Sequence, residues 1–235
     1  MQFQDLLLII SNKPDRERDA VAEVWEVGGG EVLRLGRFWD PPPVERDRVR
    51  VYGSDSFSMV LAQRLDLELT SPRDEMIAEL DASWLKRDLR AMTLADLAPT
   101  AFPIFVKPVT PKLFRASVYE SHPALVTECQ GLEDSTAVLV SEIVTFEAEA
   151  RTFVLEGEAL TCSVYEGTAD ATEAKAYVND LVQAAEFPNT CVLDVGLIAG
   201  RGWALVEANA AWGAGLNGCD PLEAAKCIAR ASKAR

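Results

Sequence analysis

The sequence predicts an α+β fold preceded by a small α/β domain. Three observations lead there. Strand and helix signals alternate over the first 71 residues. Beyond Pro99 the apolar runs take hairpin-like spacing. A single strong helical pattern, residues 172–185, interrupts those runs before a last helix opens at Asp220.

Residues 6–10 are an apolar run read as the first strand. Residues 14–27 carry Ala20, Val21, Val24 and Trp25 at helical spacing and stop at Gly28-Gly29-Gly30. Residues 31–38 are strand-like, and Pro41-Pro42-Pro43 is a stiff break. Residues 48–52 predict a strand, 54–65 a helix and 67–70 a short strand. This β-α-β-β-α-β order predicts a mostly parallel sheet in a domain of residues 1–71. Two helical stretches follow, residues 72–81 with Met76, Ile77 and Leu80 on one face, and residues 84–97. The boundary falls within residues 71–84, leaving a second domain of residues 72–235.

In that second domain the strand runs are residues 104–109, 138–144, 151–155, 159–164, 191–198 and 203–208, with a turn at Glu156-Gly157. The helix at 172–185 sets Ala174, Tyr177, Val178, Leu181 and Val182 at core spacing. The last helix has Pro221 at its first position and Glu223 at its third.

The chain has 235 residues, room for one large domain or two small ones, and enough apolar residues for a real core. A net charge of −14 argues against non-specific nucleic-acid binding, which needs a basic surface. No segment is long and apolar enough to span a bilayer. The first ten residues lack a basic n-region and a cleavage site, so the expected compartment is the cytoplasm. Five cysteines without C-x-x-C spacing read as reduced thiols, and Cys162 and Cys191 as core residues. His122, the one histidine, excludes a multi-histidine metal site and reads as a surface residue.

The densest functional signal is Asp194 to Asn209, D-V-G-L-I-A-G-R-G-W-A-L-V-E-A-N. Two apolar runs flank the turn Gly200-Arg201-Gly202 and predict a β-hairpin. Alternation puts Glu207 and Asn209 on one face. If Asp194 joins them, three hard oxygen ligands converge, which suits Mg²⁺ (or Mn²⁺) beside a nucleotide phosphate. A sheet-edge Asp194 and a turn-forming Asn209 remain the plain alternative. Against it, an unpaired Glu207 is costly in an apolar strand. The small residues 210–215 also allow close approach of a ligand. Trp212 reads equally as core or as substrate lining.

Upstream, Lys107 ends the run F-P-I-F-V-K-P. It reads either as an edge charge or as a phosphate ligand, with Lys112 and Arg115 close behind. Residues 138–151, V-L-V-S-E-I-V-T-F-E-A-E-A-R, offer extended backbone to an adenine edge. Glu142 is placed to accept from the exocyclic amine and Glu149 from ribose hydroxyls. Alternatively Glu147, Glu149 and Arg151 are one exposed strand face.

In this order the pieces W-L-K (Lys86), F-V-K-P (Lys107), S-E-I-V with Glu149, L-D-V-G (Asp194) and V-E-A-N (Glu207, Asn209) resemble the ATP-grasp superfamily. The resemblance covers residues 72–220 and is nearest to short ATP-grasp domain proteins of bacteria and phages. Asp194 and Glu207 lie thirteen residues apart, as in the D-alanine–D-alanine ligases. The resemblance implies two α+β lobes clasping a nucleotide, with residues 1–71 as the Rossmann-like domain that usually precedes them. It also implies that Lys86 and Lys107 contact the α- and β-phosphates. Glu142, Ile143 and Val144 would bind adenine, Glu149 the ribose, and Asp194, Glu207 and Asn209 one or two Mg²⁺ ions. Two departures stand out. Val192 occupies the position where many members carry an arginine that steadies the γ-phosphate, so that Arg151, Lys112 or Lys175 would have to substitute. The phosphate-covering loop, residues 110–114, has no glycine.

The activity implied is an ATP- and Mg²⁺-dependent ligase joining a small-molecule or peptide carboxylate to an amine or thiol through an acyl phosphate. Lys107 and Arg151 would be its catalytic cations. Two other readings stay open: a nucleotide-binding module without turnover, and phosphoryl transfer to a non-carboxylate acceptor. A homodimer is also left open.

Overall fold

The computed structural model describes residues 2–235, which fall into two compact units. Neither is contiguous in sequence. The first takes in the described residues up to Pro72, then Ala148–Gly196 and Val206–Arg235. The second holds Arg73–Glu147 and Leu197–Leu205.

The first unit begins with β1 (Leu7–Ser11), α1 (Arg16–Val27), β2 (Glu31–Leu35), β3 (Val49–Tyr52), α2 (Asp55–Leu65) and β4 (Leu67–Leu69). β1 is a continuous apolar run because it is the central strand of a parallel sheet, order β2-β1-β3, with Leu8, Ile9 and Ile10 fully buried. α1 is opened by Asp15, whose side chain accepts from Arg18 N at 2.9 Å. Glu17 and Asp19 in its first turn complement the helix dipole. Its buried face is Val21, Ala22 and Trp25, and Trp25 stacks on Phe3 with ring centroids 4.3 Å apart. α2 packs Phe57, Leu61 and Leu65 against Ile9, Val49 and Val51.

The second unit is built on α3 (Ala82–Leu85), β5 (Leu89–Thr93), β6 (Ile104–Pro108), β7 (Ser117–Tyr119), α4 (His122–Glu128) and β8 (Ala137–Ser141). Its antiparallel sheet runs β5-β8-β6-β7 over a core of Val106, Phe114, Leu125, Val138 and Val140. Two expected helices are corrected here. Residues 72–81 form only a 3₁₀ turn, Met76–Glu79. Residues 84–97 do not form a helix. Lys86, at φ 53°, closes α3 after a single turn, and β5 pairs along β8 from Leu89↔Ser141 to Thr93↔Ala137. Arg87 is drawn inward, donating from Nη1 to the carbonyls of Leu85 (3.0 Å) and Leu205 (2.8 Å) and from Nε to Ser141 Oγ (3.2 Å). Pairing and a buried guanidinium override the local helical spacing.

The remaining elements are β9 (Phe146–Leu155), β10 (Glu158–Gly167), α5 (Ala171–Ala184), β11 (Thr190–Ile198), β12 (Gly202–Asn209), α6 (Pro221–Ile228) and β13 (Ser232–Ala234). Four of these strands form a sheet of order β10-β9-β11-β12. β11 and β12 are consecutive neighbours joined by a tight turn, with Gly200 and Gly202 at positive φ, as the hairpin reading expected. β13 pairs antiparallel with β4, so the chain end closes on the N-terminal segment. His122 opens α4 and meets Phe102 edge-on. No helix of the described residues is long and apolar enough to cross a membrane.

Candidate functional site

In the first unit, β9, β11 and β12 each bring one polar side chain to a common point. Arg151 meets Asp194 through two parallel bonds, Nε to Oδ1 at 2.8 Å and Nη2 to Oδ2 at 2.7 Å. Asn209 Nδ2 donates to the same Oδ2 at 3.2 Å. Asp194 is only 3% exposed, and its neighbours in the strand, Cys191, Val192, Leu193 and Val195, are fully buried apolar residues. Burial pushes its carboxyl above the ordinary range, while Arg151 and Asn209 pull it back and Glu207 opposes them. Burial alone would lower Arg151, but its pair with Asp194 holds it up. A bidentate guanidinium is the partner that makes such a buried carboxylate tolerable.

Arg151 also donates from Nη1 to Gly215 O at 3.0 Å. A guanidinium has five N–H donors, so two remain for a carboxylate or phosphoryl oxygen. Arg151 also lines a small cavity of about 200 Å³, together with Glu207, Asn209, Trp212, Gly213 and Asp55. Trp212 is both core and lining. It is 4% exposed, packs in the main hydrophobic cluster and donates from Nε1 to Ser71 Oγ at 3.2 Å.

The loop after Asn209 is held from the N-terminal segment. Glu17 accepts from Leu216 N and Asn217 N, both at 2.8 Å. Tyr52 Oη donates to Ala214 O at 2.9 Å, and Gly53 N to Trp212 O at 3.0 Å. Glu17, Tyr52 and Asp55 were not singled out in the sequence. The glycine-rich loop was, but which distant groups it would meet depends on long-range packing.

Glu149 shares the Arg151 face of β9. Its Oε2 accepts from Tyr165 Oη at 2.6 Å, and the Arg151 guanidinium lies 6.0 Å from the Tyr165 ring centroid. Burial and this bond raise the phenol of Tyr165. Tyr165 is a further residue the sequence reading missed, because nothing local marks it.

In the second unit, Lys107 is half-buried on β6, and its ammonium works against the burial and the Glu75 charge that raise the carboxyl of Asp74. Lys86 ends α3 in the left-handed region, and its carbonyl accepts from Arg201 Nη1 at 2.9 Å. Residues 142–145 follow β8 without regular pairing, with Ile143 exposed and Val144 half-buried. Glu142 is gripped by Arg201 (2.7 and 3.0 Å), which holds its carboxyl down at about 2. Its remaining contact is with Asp88 N at 3.3 Å.

Lys175 Nζ donates to Leu160 O at 3.0 Å. Of the three cations considered for the position of Val192, Arg151 is the one joined to Asp194. Val192 itself is fully buried in the core. Among the described residues no three His, Cys, Asp or Glu side chains form a metal site. Two carboxylates and an amide oxygen (Asp194, Glu207, Asn209) are the hard donor types that Mg²⁺ takes, and an ion there would share Asp194 with Arg151, which donates to both of its oxygens, and with Asn209 Nδ2. The cysteines are all free, and burial pushes the thiols of Cys191, Cys219 and Cys227 up to about 12, which favours the protonated thiol over the nucleophilic thiolate.

A family model for the ATP-grasp domain, family 2 of its clade, matches residues 84–227, more than half of the chain. The chain belongs to that family. Solved structures agree in fold. An ATP-grasp RimK domain protein of Sphaerobacter thermophilus is 15% identical, with 95% of this chain and 98% of that chain covered and a TM-score of 0.60. The D-alanine–D-alanine ligase of Bacillus anthracis is 9% identical, with 96% of each chain covered and a TM-score of 0.57. The ATP-grasp ligase PsnB, bound to a phosphomimetic variant of its minimal precursor, Mg and ADP, is 14% identical, with 88% of each chain covered and a TM-score of 0.51. At these identities the likeness is one of fold. No curated protein matches the chain in sequence.

Proposed function

We propose that this protein is an ADP-forming ligase that couples ATP cleavage to joining a carboxylate and an amine or thiol. The observation that carries the reading is the Arg151–Asp194–Asn209 cluster, of which Arg151 and Asn209 line the cavity, within a chain of the ATP-grasp family. A substrate carboxylate oxygen attacks the γ-phosphorus as the bond to the β-phosphate oxygen breaks, giving an acyl phosphate and ADP. The amine then attacks the acyl carbon, phosphate leaves and the nitrogen loses a proton.

Arg151 is assigned to the γ-phosphoryl and carboxylate oxygens, using the two donors left after Asp194 and Gly215. It would supply the cation that Val192 cannot. Lys86 and Lys107 are assigned to the α- and β-phosphates, as compact charges suited to that task. Adenine recognition falls to backbone groups of residues 142–144, since Arg201 occupies the Glu142 carboxylate. Glu149 is assigned to the ribose, with Tyr165 steadying it. Asp194, Glu207 and Asn209 would hold Mg²⁺, which supplies charge neutralisation at the phosphates when bound. Residues 1–71 take the part of the Rossmann-like domain, walling the substrate side of the cavity through Asp55.

The test is ADP release from ATP and Mg²⁺ with pools of acids and amines, comparing wild type with Glu207→Gln, with hydroxylamine as trap. Substrate-dependent ADP release, a hydroxamate product and loss of both in the variant are expected. Equal background rates in the two proteins would leave a nucleotide-binding module. ADP release without hydroxamate would point to a phosphotransferase.

A further inference from the structure

Arg201 stands in the sequence only as the middle of a turn between two glycines, yet it ties together the two segments to which the nucleotide is assigned. We propose that Arg201 is a positioning residue for that nucleotide, holding Lys86 and residues 142–144 at the separation that one ATP molecule spans. The inference deepens the ligase reading and rests on it for two assignments, Lys86 to phosphate and residues 142–144 to adenine. Every group in the tie belongs to the second unit.

The turn between β11 and β12 is closed by the bond from Arg201 N to Ile198 O at 3.0 Å, with Gly200 and Gly202 at φ 70° and 87°. From this turn one guanidinium serves two segments. Nη1 donates to Lys86 O at 2.9 Å and to Glu142 Oε2 at 3.0 Å, and Nη2 donates to Glu142 Oε1 at 2.7 Å. The two segments also meet directly. Glu142 N donates to Asp88 O at 2.8 Å, and Asp88 N to Glu142 Oε2 at 3.3 Å. Lys86 needs such support. Its backbone is left-handed at φ 53°, which is costly for a residue with a Cβ. Its carbonyl lies at the end of the one-turn helix α3, where carbonyls lack partners within the helix. Arg87 ties the next residue from the opposite direction, donating to Leu205 O on β12 at 2.8 Å. The β11–β12 hairpin therefore holds the backbone on which Lys86 stands at two successive residues.

Little of the Arg201 contact serves stability. The side chains of Arg201 and Glu142 are 44% and 37% exposed, and exposed ion pairs contribute little to folding. What a two-bonded fork supplies at such a place is fixed direction and distance. Without it Lys86 and residues 142–144 can each stay folded while their spacing drifts. A ligand that must reach both then loses the benefit of contacts set in advance.

The experiment is calorimetric binding of ADP with Mg²⁺ to the full chain, with the melting temperature measured beside it. The proteins are wild type, Arg201→Met, Arg201→Lys, Glu142→Gln and the double variant Arg201→Met with Glu142→Gln. Arg201→Met is expected to bind ADP about tenfold more weakly at a melting temperature close to wild type. Arg201→Lys keeps the charge but not the fork and should lose affinity in the same direction, so the test stands even if Arg201→Met does not fold. Glu142→Gln keeps an acceptor and should lose less. Because the two residues act as one tie, the double variant should lose no more than Arg201→Met alone. Wild-type affinity in both Arg201 variants, a loss of affinity matched by a fall in melting temperature, or losses that simply add in the double variant would overturn the proposal. The last outcome would mean that Arg201 acts on the nucleotide without Glu142. A wild-type protein that binds no ADP would end this proposal and the ligase reading together. The expected binding pattern without ADP release from ATP would keep Arg201 in its role and sink ligation alone.

Discussion

Asp194 sits in a largely buried strand because Arg151, 43 residues earlier, reaches it from the neighbouring strand. Alternation in Val138 to Arg151 was legible, and so was the cost of a carboxylate in an apolar strand. The pairing was not, because it requires β9 to lie beside β11, a long-range choice that no local pattern encodes. The sequence named Arg151, Lys112 and Lys175 as possible substitutes for the arginine absent at Val192, and took Arg151 with Lys107 as the catalytic cations. The structure joins Arg151 to Asp194 and gives Lys175 a carbonyl. Removing Arg151 strands a buried charge. Arg151→Met is therefore expected to lower unfolding free energy by about 3–5 kcal/mol. The double change Arg151→Met with Asp194→Leu should recover much of that loss, since a well-packed apolar pair replaces the ions at little cost. Denaturant titrations of the three proteins check this. If the double variant is as unstable as the single one, the buried pair is not the origin of the effect. ADP release should be abolished in both variants, which separates the chemical role from the structural one.

At the scale of elements, the segment after β12 shows what a glycine-rich motif means. The sequence read residues 210–215 as room for a ligand, and Gly213 fits that reading. Gly215 has a different reason. A Cβ there would fall 2.7 Å from Glu17 Oε2, the carboxylate that accepts from Leu216 N and Asn217 N. Glu17 lies in the first turn of α1, 199 residues from Leu216 in sequence, so the constraint is invisible locally. Gly215→Ala should push Glu17 off both amides and cost roughly 1–3 kcal/mol in unsatisfied groups. Gly213→Ala should leave the melting temperature close to wild type. Glu17→Gln keeps an acceptor and should lose less than Gly215→Ala. Comparable loss in both glycine variants would contradict the assignment. The misread helix at residues 84–97 has a related origin. Its helical spacing is real, but strand pairing with β8 and the buried Arg87 outweigh a weak local preference.

At the scale of the whole molecule, the first 72 residues share one core with segments far along the chain. Phe3, Leu8, Ile10, Val21, Trp25 and Tyr52 pack in the same cluster as Phe153, Val192, Trp212, Leu216, Cys227 and Ile228, and β13 closes on β4. The sequence made the N-terminal β-α-β-β-α-β order readable from periodicity, yet periodicity says nothing about which surfaces the later strands cover. Burying a large apolar side chain contributes about 1.5–3 kcal/mol. The six N-terminal side chains together therefore contribute on the order of 10 kcal/mol, comparable to the roughly 5–15 kcal/mol stability of an entire domain. A polypeptide of residues 73–235 should then lack a cooperative thermal transition and bind a hydrophobic dye, because Val192, Trp212 and Ile228 lose their cover. Supplying residues 1–72 as a separate peptide should restore the transition, since the lost contacts are packing contacts and do not depend on chain connectivity. A sharp transition and nucleotide binding by residues 73–235 alone would show instead that the ATP-grasp portion stands without its N-terminal segment. In that event Glu17, Tyr52 and Asp55 would be attachments to the cavity rather than part of its construction.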